Sequence, residues 1–349
     1  MKRIPQLDGL RGIAILMVFL YHALQVPVFW SGVDLFFVLS GYLITGILLG
    51  LKEKQSDPAI GLHLSRSFYI RRACRILPPF IAFLGMVTLF FHVPWARLWY
   101  WYAFFDANLA SATHHDSVRA MVPLWSLAVE EQFYFVWPWV VLAASQKTLK
   151  RIALGLVLTA PVLRAICTPA FSSQWPIYAL TPFRMDTLAC GALIALLVRS
   201  DMGWIDRNHY RAAWFTCAAG AIFMMLSALH TFRWTANRIL FNTLGYSLIV
   251  AIFGGTLVFV LGSEEGLVRS ILSARPLRYL GLISYTFYLY HWGVLILLEQ
   301  RTHISFLVYP LGFVITGAMA AISWRFFETP ILRMSRLFEV QTKQPVYSQ

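Results

Sequence analysis

An arginine and a histidine in the first apolar segment share one face of the helix that the segment predicts. Arg11 and His22 are eleven residues apart, so they point within about 20° of each other and lie about 16 Å apart along the axis. A guanidinium binds anions, and an imidazole exchanges protons near neutral pH. The pair therefore fits a long ligand with an anionic end at Arg11 and a reactive end at His22. The alternative is an interface anchor at Arg11 and a hydrogen-bonded packing residue at His22.

Carboxylates also occur in apolar segments, where charge is costly and points to function. Asp34 lies in the first turn of the second segment, so helix capping and catalysis are both open roles. Glu130 and Glu131 are adjacent and point about 100° apart, so only one of them can face a given site. Helical spacing puts Glu130 on one face with Ser126 and Tyr134. We predict that Glu130 faces the interior, with helix packing as the alternative role of that face.

A run of arginines precedes the third apolar segment and borders a membrane surface. It contains Arg66, Arg71, Arg72 and Arg75. Forked guanidinium groups suit phosphate, so this density favours recognition of a phosphorylated ligand. Topology marking and contact with anionic lipid are the alternative.

Four further charged or titratable residues lie near the ends of later segments. Arg184 and Asp186 are two residues apart, point about 200° apart and are expected to pair with other helices. His291 is either a second catalytic group or a core hydrogen-bonding residue, and we favour the core role. Glu328 is predicted to form a structural ion pair. The four cysteines are scattered, so we predict neither a metal site nor a disulfide.

The amino-acid composition indicates that membrane-spanning helices position these side chains. Of the 349 residues, 58% are hydrophobic and only 13% are charged, which excludes a soluble globular protein and a disordered chain. Ten segments are long enough to cross a membrane as helices. They are Leu10–Val28, Val33–Leu51, Ile76–Val93, Leu124–Ser145, Ile152–Cys167, Thr181–Val198, Ala212–Leu229, Ile239–Gly262, Leu280–Gln300 and Ser305–Phe327. We predict that Pro94–Ala110, rich in Trp and Tyr, is interfacial or re-entrant.

The positive charges orient these segments. The net charge of +13 would suggest nucleic-acid binding in a soluble protein. With the N-terminus inside, however, 22 of the 29 Lys and Arg residues fall on the cytoplasmic side and 7 on the outer side. The sequence therefore predicts an all-α, polytopic bundle of about ten transmembrane helices with both termini cytoplasmic. The first segment is expected to be a retained helix rather than a cleaved signal peptide.

Seven blocks of the sequence together resemble the acyltransferase family 3 of integral membrane proteins. They occur in order from residue 6 to residue 330. The blocks are Leu-Asp-Gly-Leu-Arg-Gly with Arg11 and His22, Gly-Val-Asp-Leu-Phe-Phe-Val-Leu-Ser-Gly (32–41), Arg-Arg-Ala-Cys-Arg-Ile-Leu-Pro (71–78), Leu-Trp-Ser-Leu-Ala-Val-Glu-Glu-Gln-Phe-Tyr (124–134), Phe-Arg-Met-Asp-Thr-Leu-Ala-Cys-Gly (183–191), Ile-Ser-Tyr-Thr-Phe-Tyr-Leu-Tyr-His (283–291) and Phe-Glu-Thr-Pro (327–330).

The resemblance implies an acyltransferase domain over residues 1–335 and a short cytoplasmic tail over 336–349, with no extracytoplasmic SGNH-type domain. It implies O-acylation, usually O-acetylation, of a carbohydrate or glycolipid hydroxyl at the cell envelope, in lipopolysaccharide or exopolysaccharide for example, by an enzyme of the cell inner membrane. The donor would be acetyl-CoA or another acyl-CoA, used as a substrate rather than a permanently bound cofactor. Expected partners are acyl-CoA, the acceptor, membrane lipid and a second copy of the chain, without nucleic acid.

The resemblance and the spacing together suggest a mechanism. Arg71, Arg72 and Arg75 would bind the CoA phosphates, and the pantetheine arm would pass Arg11 to bring the thioester to His22. His22 would act as a general base or form an acyl-imidazole, and both routes stay open.

Other residues would support this chemistry. Asp34 or Glu130 would orient the imidazole, while Arg184, Asp186, His291 and Glu328 would support the site or the acceptor. Sugar stacking at Trp99, Trp101 and Trp125 competes with an interface belt. A secondary transporter of an anionic solute is the alternative function, and a scaffold with an inactive site is less favoured.

Overall fold

The computed structural model describes residues 4–53, 58–113, 118–229, 236–302 and 304–335, and within these ranges the chain is helical without a β-strand. The α-helices are α1 (Pro5–Leu24), α2 (Gly32–Lys52), α3 (Pro58–Phe90), α4 (Trp95–Ala103), α5 (Ala107–Ala112), α6 (Leu124–Ala143), α7 (Gln146–Cys167), α8 (Trp175–Ala179), α9 (Met185–Ser200), α10 (Trp204–Ala228), α11 (Tyr246–Gly262), α12 (Gly266–Leu272), α13 (Arg275–Leu282), α14 (Ser284–Arg301), α15 (Ser305–Ser323) and α16 (Thr329–Ser335). A π-helical turn over Trp324–Glu328 joins α15 to α16. The predicted tail, 336–349, lies outside the described residues.

Seven helical segments of the described chain are long and apolar enough to cross a membrane. An eighth is added if α13 and α14, which meet at a 76° bend, form one span. The other two predicted spans are helical as α6 and α9, but α6 carries two glutamates and α9 has only 16 residues. The predicted all-α membrane bundle is confirmed. The count of ten spans and the side of the termini stay predictions.

The helices form an inner group surrounded by an outer one. The apolar window of the segment Phe29–Lys52, which contains α2, is 78% buried, whereas that of α10 is 17% buried. Helix α2 packs on α1, α6, α9 and α11, and α1 also packs on α13 and α14. Helices α3, α7, α10 and α15 complete the periphery. Every segment that carries a predicted site residue therefore borders the inner group.

Glycines allow two close backbone contacts around α1 and α2. A Cβ on Gly41 of α2 would strike Leu188 O of α9, and one on Gly191 of α9 would strike Val38 O of α2. Gly12 of α1 is similarly close to a carbonyl of α13. Small residues at such contacts are typical of membrane helix packing. The glycines of the Leu-Asp-Gly-Leu-Arg-Gly block thus have a packing role beside Arg11.

Helices α4 and α5 pack on each other, and the turn between them contacts α3 and α6. Phe105 in this turn has a positive φ of 56°, and its ring stacks on Phe80 of α3 at 5.2 Å. Gln132 Nε2 donates to Phe105 O (3.2 Å) and Asp106 Oδ1 (3.1 Å). Gln132 lies eight residues into α6, about 12 Å along that helix. This geometry fits the re-entrant interpretation of Pro94–Ala110.

The glycine contact between α2 and α9 gives a stability prediction. We expect Gly41→Ala to lower the free energy of unfolding by about 1–3 kcal/mol, because the new methyl group meets backbone rather than a movable side chain. Gly155→Ala on α7 is the matched control, since nothing lies within 4 Å of its Cβ position. The measurement is the thermal unfolding midpoint of both variants in detergent. Equal midpoints for the two variants would contradict the packing role.

Candidate active site

Two histidines meet between α1 and α14. His22 lies in the last turn of α1 and His291 lies in α14, where it is fully buried. His291 Nε2 is 3.2 Å from His22 Nδ1, and the ring centroids are 4.9 Å apart. His22 Nδ1 is also 2.9 Å from Val18 O, and His291 Nδ1 is 2.6 Å from Tyr288 O.

These contacts determine the tautomers of both neutral rings. A carbonyl oxygen only accepts, so each Nδ1 carries a proton. The single His22 Nδ1–H is shared between Val18 O and His291 Nε2 as a three-centre hydrogen bond, and His22 Nε2 keeps its lone pair. The group that orients His22 is therefore His291 together with a backbone carbonyl. The hydrogen bonds among the described residues include none from Asp34 or Glu130 to His22, the orientation expected from the sequence.

His22 lines an aromatic cavity of about 340 Å³, referred to below as the outer cavity. Four tryptophans and three tyrosines line it, together with Gln25 and Arg119. The aromatic residues are Trp30, Trp125, Trp175, Trp292, Tyr21, Tyr178 and Tyr288. The Trp292 ring lies 4.7 Å from the His22 ring. Of the three tryptophans singled out from the sequence, Trp125 lines this cavity.

A smaller inner cavity of about 50 Å³ lies at the Arg11 end of α1. Arg11, Glu130, Ser126 and Tyr285 are among its lining residues, and it shares Val33 and Tyr288 with the outer cavity. The Tyr288 hydroxyl donates to Pro123 O at 3.0 Å and lies 2.6 Å from Ser126 Oγ. Tyr288 thus stands between the arginine end and the histidine end of the same helix face.

Arginines of α3 lie near Arg11, which lines the inner cavity. Arg72 and Arg75 are close enough to Arg11 for their charges to interact. The Arg72 guanidinium lies 3.7 Å over the Tyr134 ring, and Arg75 lies 5.7 Å from the Trp324 ring. Arg71 is half-buried on the same helix, while Arg66 is exposed. The structure therefore brings Arg72 and Arg75 to Arg11, as an anionic ligand would require.

The adjacent glutamates point to different places. Glu130 lines the inner cavity and accepts from Ser40 Oγ at 2.7 Å. Glu131 lines a separate cavity of about 540 Å³ between α3 and α6, into which Arg72 also extends. Glu328 accepts from Thr286 Oγ1 at 2.6 Å and from Ser323 Oγ at 3.3 Å, so it joins α14 to the end of α15.

Two buried ion pairs hold the helices beside the outer cavity. Asp34 of α2 pairs with Arg184, whose guanidinium lies 4.5 Å from the Tyr246 ring and 5.4 Å from the Tyr178 ring. Asp186 of α9 pairs with Arg164 of α7 at 2.7 Å. Asp34 does not line either cavity at α1 among the described residues. Its catalytic role stays a prediction.

Sequence patterns alone do not assign a site role to several residues of the outer cavity or of the ion pairs beside it. Arg119 of the cavity and Arg164 of the pair with Asp186 are two of the seven outer-side basic residues, and nothing in the sequence marks Trp30 or Trp175 as cavity residues. A charge inside the apolar α7 was an available signal for Arg164. The tryptophans had no such signal, because an aromatic residue near a membrane interface is ordinary.

Comparison with known proteins gives one family and several relatives. A family model described as an acyltransferase domain matches residues 4–325. The chain is 30% identical to the peptidoglycan O-acetyltransferase OatA of Listeria monocytogenes and 28% identical to the putative peptidoglycan O-acetyltransferase YrhL of Bacillus subtilis. It is 29% identical to a putative O-acetyltransferase of Staphylococcus aureus. Each alignment covers 95% of this chain but only 56%, 55% and 57% of the respective relative. No solved structure gives a significant match.

The Asp34–Arg184 pair allows structural and catalytic roles to be separated. We expect Arg184→Met alone to destabilise the protein by about 3–5 kcal/mol, because it leaves a buried carboxylate without its partner. The double variant Asp34→Leu, Arg184→Met should recover most of that loss. Thermal unfolding and acetyl transfer are measured on the same samples. A stable but inactive double variant would instead establish a catalytic role for Asp34.

Proposed function

The chain belongs to acyltransferase family 3, and we propose that it moves an acetyl group from acetyl-CoA in the cytoplasm to a hydroxyl of a carbohydrate or glycolipid at the outer face of the inner membrane. The observation that carries the proposal is the placement of the two cavities on α1, one at Arg11 and the other at His22, with Tyr288 and Val33 shared. The names of the relatives make a cell-wall glycan the first choice of acceptor.

The donor end of the proposal depends on the arginines. Arg11, Arg72 and Arg75 repel one another, and an anion between them would relieve that repulsion. CoA phosphates supply such an anion and suit the guanidinium fork, and Arg71 is placed on the same helix to assist. The pantetheine arm would then extend along α1 past Tyr288 toward His22.

The acyl transfer follows from the free lone pair on His22. His22 Nε2 takes the proton of the acceptor hydroxyl while that oxygen attacks the thioester carbonyl carbon. The new C–O bond forms as the C–S bond breaks, and the proton passes from the imidazolium to the departing thiolate to give CoA. The same lone pair could instead attack the thioester first, which breaks the C–S bond and gives Nε2-acylated His22 and the CoA thiolate. The acceptor oxygen then attacks the acyl carbon as the C–N bond breaks, and the proton of the acceptor hydroxyl passes to the thiolate to give CoA. Both routes need Nδ1 to keep its proton.

His291 is proposed as the positioning residue that secures this tautomer. It accepts from His22 Nδ1–H, and its own Nδ1–H is bound to Tyr288 O. It therefore stabilises the positive charge that develops on His22 without contacting the substrate. In other hydrolases and transferases a carboxylate commonly fills that position, orienting the histidine in the same way.

The first prediction on this mechanism concerns His22. We expect His22→Ala to lower acetyl transfer from labelled acetyl-CoA by about 10²–10⁴-fold, which is the range for loss of a general base. His209→Ala, which removes a histidine of α10 outside both α1 cavities, should keep normal activity. The measurement is label incorporated into cell-envelope glycan by folded protein in proteoliposomes. Normal transfer by His22→Ala would refute the mechanism.

The second prediction separates donor binding from chemistry. We expect Arg11→Gln to raise the KM for acetyl-CoA about tenfold or more with a smaller effect on kcat, because a charge-assisted contact of about 1.5–3 kcal/mol is lost. Arg211→Gln, an exposed arginine of α10, is the control. An unchanged KM for acetyl-CoA in Arg11→Gln would exclude this residue from donor binding.

The third prediction tests His291 as a positioning residue. We expect His291→Phe to lower kcat while the KM for acetyl-CoA stays unchanged. The phenyl ring fills the space of the imidazole but lacks the nitrogen that accepts from His22 Nδ1–H. His291→Gln should regain part of kcat, because its side-chain oxygen can accept from His22 Nδ1–H. A purely structural role would lower the thermal midpoint and kcat in parallel for both variants and give no advantage to Gln.

A further inference from the structure

The described residues that line the outer cavity carry one permanent charge, and that charge is positive. Among the described residues that line it, Arg119 is the one with a formal charge at neutral pH, and no carboxylate accompanies it. The salt bridges of the described chain include none to Arg119. Within the described residues, Arg119 therefore has no carboxylate partner, and such a guanidinium is a binding group for an anion.

The backbone places Arg119 firmly at this cavity. It begins a short 3₁₀ turn, Arg119–Met121, directly before α6. Ala120 and Met121 are buried, and Met121 N and Val122 N donate to Val118 O (2.9 Å) and Arg119 O (3.2 Å). The side chain is thus carried on a packed turn, while Arg119 as a residue is exposed.

One indole connects Arg119 to the reacting histidine. The guanidinium carbon lies 5.7 Å from the Trp292 ring, and that ring lies 4.7 Å from the ring of His22. An anionic group bound at Arg119 would therefore lie across a single aromatic ring from His22. That separation suits two substituents on the same small ligand, one bound and one reacting.

We propose that the outer cavity selects acceptors that carry a carboxylate or phosphate, which pairs with Arg119 while a hydroxyl of the same sugar is presented to His22 Nε2. This inference rests on the proposed function and deepens it by assigning the acceptor class. The tryptophans and tyrosines of the cavity supply stacking surfaces for the sugar ring. Arg119 supplies the charge-assisted hydrogen bonds that distinguish an anionic sugar from a neutral one.

Equilibrium dialysis of the full-length protein in detergent tests the proposal without knowledge of the natural acceptor. The probes are labelled glucuronate, glucose 6-phosphate and glucose, with and without CoA. We expect at least one anionic sugar to bind at least tenfold more tightly than glucose, and Arg119→Gln to remove that difference. Arg301→Gln, an exposed arginine at the end of α14 that does not line the cavity, should keep it.

The outcomes distinguish a carboxylate from a phosphate as the anion, and they distinguish failure of this inference from failure of the proposed function. Preference for glucuronate indicates a carboxylate acceptor, and preference for glucose 6-phosphate indicates a phosphorylated one. Equal binding of all three sugars, or a preference that survives in Arg119→Gln, would overturn the assignment. If the proposed function were wrong instead, wild-type protein would fail to transfer acetyl groups to envelope glycan, whatever the dialysis result.

Discussion

A charged side chain inside an apolar helix bundle must be neutralised by a partner of opposite charge. The arrangement of these partners determines which helices are held together and where a ligand can bind. Asp34 with Arg184 and Asp186 with Arg164 are closed pairs that join α2, α7 and α9 beside the outer cavity. Arg11, which lines the inner cavity, instead lies near Arg72 and Arg75, with carboxylates that are partly bound elsewhere, such as Glu130 to Ser40. Closed pairs fix the framework. Incompletely neutralised charge identifies where a ligand belongs.

The reacting groups of the candidate site also avoid a buried net charge in the low-dielectric interior. His22 and His291 are neutral in their mutual hydrogen bond, so their contact has no charge to desolvate until a proton arrives. Both rings are oriented by carbonyls of their own helices, which are rigid within the bundle. Aromatic side chains form much of the wall of the outer cavity around His22. Under the proposed function, reactivity is thereby concentrated at His22 Nε2.

Helical periodicity predicts which residues of one segment lie on the same face, and part of the candidate site could be predicted in this way. The shared face of Arg11 and His22 is of this kind, and so is the inward orientation of Glu130. Periodicity within a segment does not predict which residues of different segments come into contact. His291 is 269 positions from His22, and Arg184 is 150 positions from Asp34. The short α9 shows the same limit, since hydropathy cannot tell how far a buried helix extends beside its neighbours.

Tyr288 and Val33 separate the two cavities, and this has a consequence for the cell rather than for the reaction. A continuous polar passage from the arginines to the outer face would conduct protons and small ions, which would dissipate the gradients that the membrane maintains. The hydrogen bonds of Tyr288 to Pro123 and Ser126 keep this separation well packed. A flexible thioester arm could occupy the passage and seal it at the same time. Under the proposed function, the enzyme would thus export an acyl group while the membrane remains electrically insulating.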